Sequence, residues 1–304
     1  MTSFSESERH LLSLFSSGSS FSFEGDQYEV CFSGKPTAPR GEPKTDIFVR
    51  CIKCGNGTPV DFKISYKKEN ADFLENKISQ ERAESIFGCN WSNIIRRSTM
   101  RLRNEFNGRS LVFKTPYRKT EAGSITLGWK FEILAGKPAG DLSGIIPLTM
   151  AQKKDILSGN SLPLDKRNAL VNGDSIVNSG IADYIIVRSN VNTIQEAADS
   201  LLRINDEYVR QNNIDMCFAC KALNYRSLND PQKWDGDRPL AVQVFWTAKE
   251  GVLTPRIAFN RPLVVRGNEV GEQLKNAMAR LGIRTTNDIT ERNCVSSVIF
   301  EQRN

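Results

Sequence analysis

The chain has 304 residues, of which 39% are hydrophobic and 25% charged, and its formal net charge is +6. A hydrophobic fraction of this size excludes an intrinsically disordered chain. No run approaches the roughly 18–20 consecutive apolar residues of a membrane span, and the acidic, serine-rich N-terminus is unlike a secretory signal. Seven cysteines without such a signal indicate reduced thiols, so we expect a cytoplasmic protein that contacts no membrane.

Hydrophobic periodicity predicts helices and strands that alternate along the chain. In chain order we expect a helix at 5–15, a loop at 33–43, strands at 47–53 and 60–66, helices at 73–87 and 92–106, a strand at 125–133, a strand at 181–188, a helix at 193–209, a strand at 214–223, a hairpin of strands 240–248 and 252–260, and a helix at 270–281. The turn Gly55-Asn56-Gly57 predicts that strands 47–53 and 60–66 form a hairpin. The mixture indicates an α/β fold of the α+β type with a mixed sheet.

The residues with the clearest chemistry are Asp46, Asp61 and Lys63. Asp46 opens the first strand of the hairpin, and Asp61 and Lys63 point to one side of the second strand because they are two residues apart. The hairpin can bring Asp46 beside them. Two carboxylates and the backbone carbonyl of Phe62 offer the oxygen ligands that Mg²⁺ prefers. Such a metal polarises a phosphate and lowers the pKa of bound water, and Lys63 would orient that water or stabilise negative charge.

Burying three charged groups in apolar strands is costly unless they serve a metal or one another. The pattern therefore predicts a site of Mg²⁺-dependent phosphodiester hydrolysis. The structural alternative is a polar hairpin edge with an ordinary Lys–Asp ion pair.

This segment resembles the PD-(D/E)xK nuclease superfamily and, within it, the type II restriction endonucleases. The resemblance extends from Gly41 to about Asn90 and includes Lys44-Thr45-Asp46-Ile47, Asp61-Phe62-Lys63-Ile64-Ser65 and the lysine-rich stretch from Tyr66 to Phe73. It implies a restriction-endonuclease-like core, Asp46 and Asp61 as metal ligands, and Lys63 as the catalytic lysine. It also implies Mg²⁺ as cofactor, products with 5′-phosphate ends, and a prokaryotic or phage origin. Thr45 directly precedes Asp46 and Pro43 stands three residues before it, a departure that the family tolerates.

Basic and polar residues outside the hairpin are candidates for DNA contacts. Residues 91–119 hold eight basic side chains against Glu105 alone, which is typical of a phosphate-binding face or of a solvated helix face. Polar loops of the second half are candidates for base contacts. The candidate DNA-binding residues are Arg96, Arg97, Arg101, Arg103, Lys119, Asn224, Arg226, Lys233, Arg238 and Arg256. We expect one domain over residues 1–304, with the catalytic core at about 1–135 and the recognition elements within 136–304.

These observations favour a sequence-specific endonuclease of double-stranded DNA, as in type II restriction. A palindromic site would suit a homodimer with one active site for each strand. A DNA methyltransferase that acts on the same site would be its expected partner, because the host's own DNA must be protected. The alternatives are a repair or junction-resolving nuclease of the same superfamily, and a non-catalytic DNA-binding protein whose acidic cluster only stabilises the hairpin.

Other chemistries have weaker support. His10 is the single histidine, which disfavours Ser-His-Asp catalysis, and the absence of a Walker-type loop argues against a nucleotide cofactor. Cys51-x-x-Cys54 and Cys217-x-x-Cys220 have the local spacing of a structural Zn²⁺ site. The two pairs lie far apart in the chain, and the second lies in a predicted buried strand. We therefore expect free thiols there rather than Zn²⁺.

Overall fold

The structure is a computed structural model that describes residues 4–39, 41–69, 73–76, 78–136, 138–212 and 214–302. It is a mixed α/β fold with mixed sheets, as the sequence predicts. The chain divides into two compact units, each built from two segments. Unit 1 comprises Met1–Asp72 and Leu148–Ile214, and unit 2 comprises Phe73–Pro147 and Asp215–Asn304.

The helices are α1 (Phe4–Leu14), α2 (Gln80–Phe87), α3 (Trp91–Met100), α4 (Arg103–Asn107), α5 (Met150–Ser158), α6 (Leu164–Arg167), α7 (Ile194–Asp199), α8 (Asp206–Gln211) and α9 (Gly267–Arg280). The strands are β1 (Ser20–Phe23), β2 (Asp26–Gly34), β3 (Ile47–Lys53), β4 (Pro59–Lys67), β5 (Phe73–Glu75), β6 (Val112–Phe113), β7 (Ser124–Ala135), β8 (Ser143–Ile145), β9 (Leu170–Val171), β10 (Asp174–Ser175), β11 (Tyr184–Val187), β12 (Leu202–Arg203), β13 (Met216–Arg226), β14 (Lys233–Trp234), β15 (Val242–Lys249), β16 (Val252–Ala258) and β17 (Ile299–Phe300). None of the described helices has the length and apolar character needed to cross a membrane.

Unit 1 contains a six-stranded sheet in the order β1-β2-β3-β4-β11-β12. β4 pairs in parallel with β11, and the other neighbours are antiparallel. Alternate residues of β3 and β4 are apolar and enter one core with α1 and α7, because successive side chains of a strand point to opposite faces. Phe62 is 1% exposed at the centre of this core, and its ring lies 5.1 Å from Tyr28 and 5.3 Å from Phe21 between ring centroids.

Unit 2 contains a larger sheet whose main path is β14-β13-β7-β15-β16. β5 and β6 also pair with β7, β8 pairs with β13, and β17 pairs with β6. The long strands β7 and β13 pair antiparallel over most of their length. α9 packs against β15 and β7 through Val270, Leu274 and Met278, which recur at helical spacing and are buried.

Most predicted elements are confirmed, including the hairpin of β3 and β4. The single helix expected at 193–209 is wrong, because α7 ends at Asp199 and α8 begins at Asp206. The Asn205 side chain accepts a hydrogen bond from the Tyr208 amide and starts the second helix. The helix expected at 73–87 is wrong in its first part, because Phe73–Glu75 pairs with β7 as strand β5. The single helix expected at 92–106 is interrupted, because α3 ends at Met100 and α4 begins at Arg103. Strands β1 and β2 and helices α5 and α6 were not predicted.

We expected one domain with its catalytic core at about residues 1–135, and the two compact units do not follow that boundary. Unit 1 takes its second segment from residues 148–214, and unit 2 takes its first from residues 73–147. β11, which lies in that second segment of unit 1, completes the sheet beside β4. Parallel neighbours need such a long crossover, which local sequence patterns do not reveal.

Replacing Phe62 by alanine tests this account of the core of unit 1. Phe62→Ala should lower the free energy of unfolding by about 3–5 kcal/mol, because it removes a ring that four other aromatic rings surround. Phe62→Leu keeps much of the apolar volume and serves as the control with a smaller loss. Equilibrium urea unfolding followed by circular dichroism measures both. A loss below about 1 kcal/mol for Phe62→Ala would contradict the described packing.

Candidate active site

Asp46 is held at the start of β3 by backbone hydrogen bonds. Its amide donates to the Ile64 carbonyl at 2.9 Å, and the Lys44 amide donates to the Gly180 carbonyl at 2.9 Å. The Asp46 carboxylate accepts from the Tyr66 amide at 2.7 Å and from the Ser65 hydroxyl at 3.3 Å, both on Oδ2. The carboxylate thus has a fixed position beside the end of β4.

Lys67 is the cation in contact with Asp46. Its Nζ lies 3.7 Å from Asp46 Oδ2, and the two side chains are 25% and 18% exposed. Ile47 pairs with Ile64, so Asp46 lies opposite Ser65, and Lys67 is two residues further along β4 on the same face. The structure therefore brings Asp46, Ser65 and Lys67 together.

Asp61 does not lie beside Asp46, contrary to the expectation of one shared metal. It faces Arg50 across the hairpin, and the guanidinium binds it in a bidentate manner at 2.7 and 2.8 Å. Asp61 and Ser65 are four residues apart, which is roughly 13 Å of strand. A Mg²⁺ ion binds its ligands at about 2 Å and cannot reach both carboxylates. The hydrogen bond to Asp61 also raises the pKa of Arg50.

Lys63 is paired with a carboxylate that the sequence did not single out. Its Nζ lies 2.9 Å from Asp183 Oδ2, and the Asp183 amide donates to the Lys63 carbonyl at 2.9 Å. Phe62 lies opposite Val49 and is three residues from Ser65. Its backbone carbonyl, which was expected to bind the metal, is therefore next to Asp61 and not next to Asp46. The structure brings Lys63 to Asp183 and leaves Asp46 with Lys67.

A second charged pair borders Asp46. Lys35 donates to Glu8 Oε2 at 2.8 Å, and Glu8 belongs to the core-facing side of α1. The pKa of Lys35 is raised, first by this hydrogen bond and further by the negative charges of Glu8, Asp46 and Glu42. The Asp46 carboxylate is thus close to two ion pairs, its own with Lys67 and that of Lys35 with Glu8.

The four cysteines of the paired motifs differ in their surroundings. Cys51 is buried in the core of unit 1, which raises the pKa of its thiol to about 12, whereas Cys54 is exposed after β3. Cys217 and Cys220 lie on β13 of unit 2, and burial raises the pKa of both thiols. Zinc binds thiolates, which this burial disfavours. No group of three or more His, Cys, Asp or Glu side chains in the described part of the chain is arranged as a metal site.

All ten candidate DNA-binding residues lie in unit 2. Arg96, Arg97, Arg101 and Arg103 are exposed on or beside α3 and α4, and within the described residues none of them has a carboxylate partner. Exposed positions are also occupied by Lys119, Lys233, Arg238 and Arg256.

Arg226 and Asn224 are held by other side chains of unit 2. Arg226 is bound by Glu121 and by Asp235, the latter at 2.8 Å. Asn224 is buried and accepts from the Thr126 hydroxyl at 3.2 Å. These contacts make Arg226 a structural residue of the sheet edge.

Ser65 and Lys67 were missed as site residues, although a signal for them exists in the sequence. Lys53 and Thr58 close a four-residue loop at 54–57, since the Lys53 amide donates to the Thr58 carbonyl at 2.8 Å. Counting outward from this loop, each β3 residue pairs with the β4 residue at the same distance from it. This count places Asp46 opposite Ser65 and Arg50 opposite Asp61. The lysine-rich stretch after Ser65 also belongs to the resemblance, although Asn70 to Asp72 lie outside the described residues.

Neither the family models, nor the curated proteins, nor the solved structures with which the chain was compared match it. The interpretation of the site therefore depends on its geometry and on the resemblance of the hairpin segment.

Thiol reactivity tests the described surroundings of the cysteines. Cys54 and Cys89 are exposed and should react first with a thiol reagent at pH 8, because a thiol whose pKa is raised by burial offers little thiolate. Cys51 and Cys294, whose pKa values are raised to about 12 and about 11, should react only after unfolding. Pulsed labelling with peptide mass spectrometry measures the order. Equal rates for Cys51 and Cys54 in the native protein would contradict the structure.

Proposed function

We propose that this chain is a Mg²⁺-dependent endonuclease of double-stranded DNA, with Asp46 as the metal ligand and Lys67 as the catalytic lysine. The observation that carries this proposal is the partly exposed Asp46 carboxylate 3.7 Å from the Lys67 ammonium. Both side chains lie on the face of the hairpin opposite the apolar core. The resemblance to the PD-(D/E)xK nucleases involves Asp46, Asp61 and Lys63; we keep Asp46 and assign the role of the lysine to Lys67.

The residues around Asp46 fit a magnesium ion. Mg²⁺ is commonly bound by one or two carboxylates, with waters and substrate phosphates as the other ligands. Asp46 supplies such a carboxylate, and its hydrogen bonds from Tyr66 and Ser65 all end on Oδ2, which leaves Oδ1 without a described protein donor. When bound, the metal would supply Lewis-acid activation of the phosphate and of a water.

Lys67 would stabilise negative charge on the reacting phosphate. Its contact with Asp46 is longer than the 2.9 Å contact between Lys63 and Asp183, so Lys67 is less firmly bound by its partner. A preorganised cation close to developing charge lowers the barrier most where water is partly excluded, as around this one-quarter-exposed side chain. The Tyr66 and Ser65 donors would keep the Asp46 carboxylate oriented while Lys67 faces the substrate.

The exposed arginines of unit 2 support DNA as the substrate. Arg96, Arg97, Arg101 and Arg103 have no described carboxylate partner and can neutralise phosphates. We propose type II restriction as the biological role on the strength of the resemblance, with a homodimer on a palindromic site and a methyltransferase of the same specificity.

Two lysines of β4 permit a matched test of the site. Lys63 and Lys67 lie on the same face, two residues on either side of Ser65. Asp46→Asn and Lys67→Met should each lower Mg²⁺-dependent cleavage of phage DNA at least about 100-fold, because each removes a charge that acts on the reacting phosphate. Lys63→Met and Asp61→Asn, which disrupt structural ion pairs, should retain most of the activity. Initial rates on agarose gels measure all four variants.

The activities of the four variants test the assignment of the site, and the cleavage products test the assignment of the substrate. Loss of activity in Lys63→Met and Asp61→Asn, with activity kept in Lys67→Met, would restore the site predicted from sequence. A smear, or a preference for branched DNA, would argue against restriction and favour a repair or junction-resolving nuclease. DNA binding without Mg²⁺-dependent cleavage would show a non-catalytic DNA-binding protein.

A further inference from the structure

Unit 2 contains a cleft of about 620 Å³ that the proposed active site does not use. It is bordered by the turn at residues 117–120, by residues 139–142 and by β13. Its volume lies within the range of pockets that hold small organic ligands. Three kinds of group line it, and each kind suits a different part of one ligand.

One wall of the cleft is aromatic. The Tyr117 ring lies 4.7 Å from Phe300 and 6.4 Å from Phe113 between centroids, and it is nearly parallel to Phe113. Phe113 is buried, whereas Tyr117 is 38% exposed, so this ring presents a supported surface to the cleft. A supported, accessible ring is a platform on which a nucleobase can stack.

The rim of the cleft carries two cations at a fixed turn. Tyr117 and Thr120 exchange backbone hydrogen bonds of 2.9 and 2.8 Å, which places Arg118 and Lys119 at the tip. Within the described residues neither has a carboxylate partner, whereas the cleft residue Arg109 is paired with Asp141 at 2.8 Å. The Arg118 guanidinium lies over the Tyr117 ring, 5.3 Å from its centroid, and Lys119 is exposed beside it. Both side chains carry the charge that an anion such as a phosphate requires.

The interior of the cleft holds a buried polar side chain. Asn224 is 9% exposed, and its amide oxygen accepts from the Thr126 hydroxyl at 3.2 Å. Among the residues that the structure describes, the contact of this side chain involves its amide oxygen, and its amide nitrogen is the donor that a ligand could meet. Donors of this kind recognise the polar edge of a base that has left the stack.

We propose that this cleft binds a single unstacked nucleotide of a DNA strand. The base would stack on Tyr117 in place of the Arg118 guanidinium, with its edge toward Asn224, and its phosphate would lie at Arg118 and Lys119. A simple anion would make no contact that requires the aromatic wall, and an apolar ligand would make none that requires the two cations. The inference depends on the proposed function for the choice of DNA as the polymer.

Binding to a bulged duplex tests the cleft without requiring cleavage. The full chain, in EDTA, is titrated into a fluorescein-labelled duplex with one unpaired nucleotide and into the same duplex fully paired. Fluorescence anisotropy should show at least about tenfold tighter binding of the bulged duplex, because stacking of one base stabilises the complex by that order. Tyr117→Ala should abolish this preference, and Tyr117→Phe, which keeps the ring, should retain it.

A charge-matched control separates the cleft from general electrostatics. The double variant Arg118→Ala/Lys119→Ala should lower the affinity for the bulged duplex more than the affinity for the paired duplex. The double variant Arg256→Ala/Arg280→Ala removes the same charge from a second concavity beside α9. It should lower the affinity for both duplexes equally.

Equal affinity for the two duplexes, or a preference that survives in Tyr117→Ala, would overturn the inference. Mg²⁺-dependent cleavage without a preference for the bulged duplex would contradict the nucleotide site proposed for the cleft, and it would leave the proposed nuclease function intact. A Tyr117-dependent preference without any cleavage contradicts the proposed nuclease and supports the cleft. A protein that binds neither duplex would contradict both.

Discussion

The pairing of β3 with β4 determines which residues of unit 1 enter the core and which form the candidate site. Ile47 lies opposite Ile64, so one face of the hairpin is apolar and the other carries Asp46, Ser65 and Lys67. A shift of one residue would exchange the faces and bury the charges, which makes this register strongly favoured. The turn that fixes it contains Gly55 and Gly57 at φ +98° and +69°, a conformation that residues with a Cβ rarely adopt.

The charged residues of the hairpin divide into tight and loose pairs. Asp61 and Lys63 are each bound by a partner at 2.7–2.9 Å, which offsets the cost of their partial burial. Asp46 and Lys67 are 3.7 Å apart and partly exposed. A loose pair can exchange its mutual contact for a metal and a phosphate at small cost, whereas a bidentate pair cannot. The fold thus distinguishes structural from candidate catalytic charges that the sequence pattern alone does not separate.

Local patterns predicted the elements of this chain well and the partners of its charges poorly. The turn glycines and the alternation of apolar residues were sufficient to predict β3 and β4. Asp183 reaches Lys63 only because β11, more than a hundred residues later, pairs with β4. No local pattern encodes that crossover. The bidentate contact of Arg50 with Asp61 follows from the strand register, in which the two residues lie opposite each other. The triplet Asp61-x-Lys63, taken by itself, indicates a catalytic role for Asp61 instead. The single helix expected at 193–209 failed because Asn205 starts a new helix within a continuous apolar pattern.

In the proposed mechanism Asp46, and not Asp61, binds the catalytic divalent metal. Crystals grown with Mn²⁺ and a DNA duplex would locate this metal in an anomalous difference map. We expect a peak at about 2.1 Å from the Asp46 carboxylate, the distance typical of a hard divalent ion of this size, with Lys67 near the adjacent phosphate. A peak on Asp61 with Asp46 unligated, or no peak on either carboxylate in a complex that holds DNA, would contradict it.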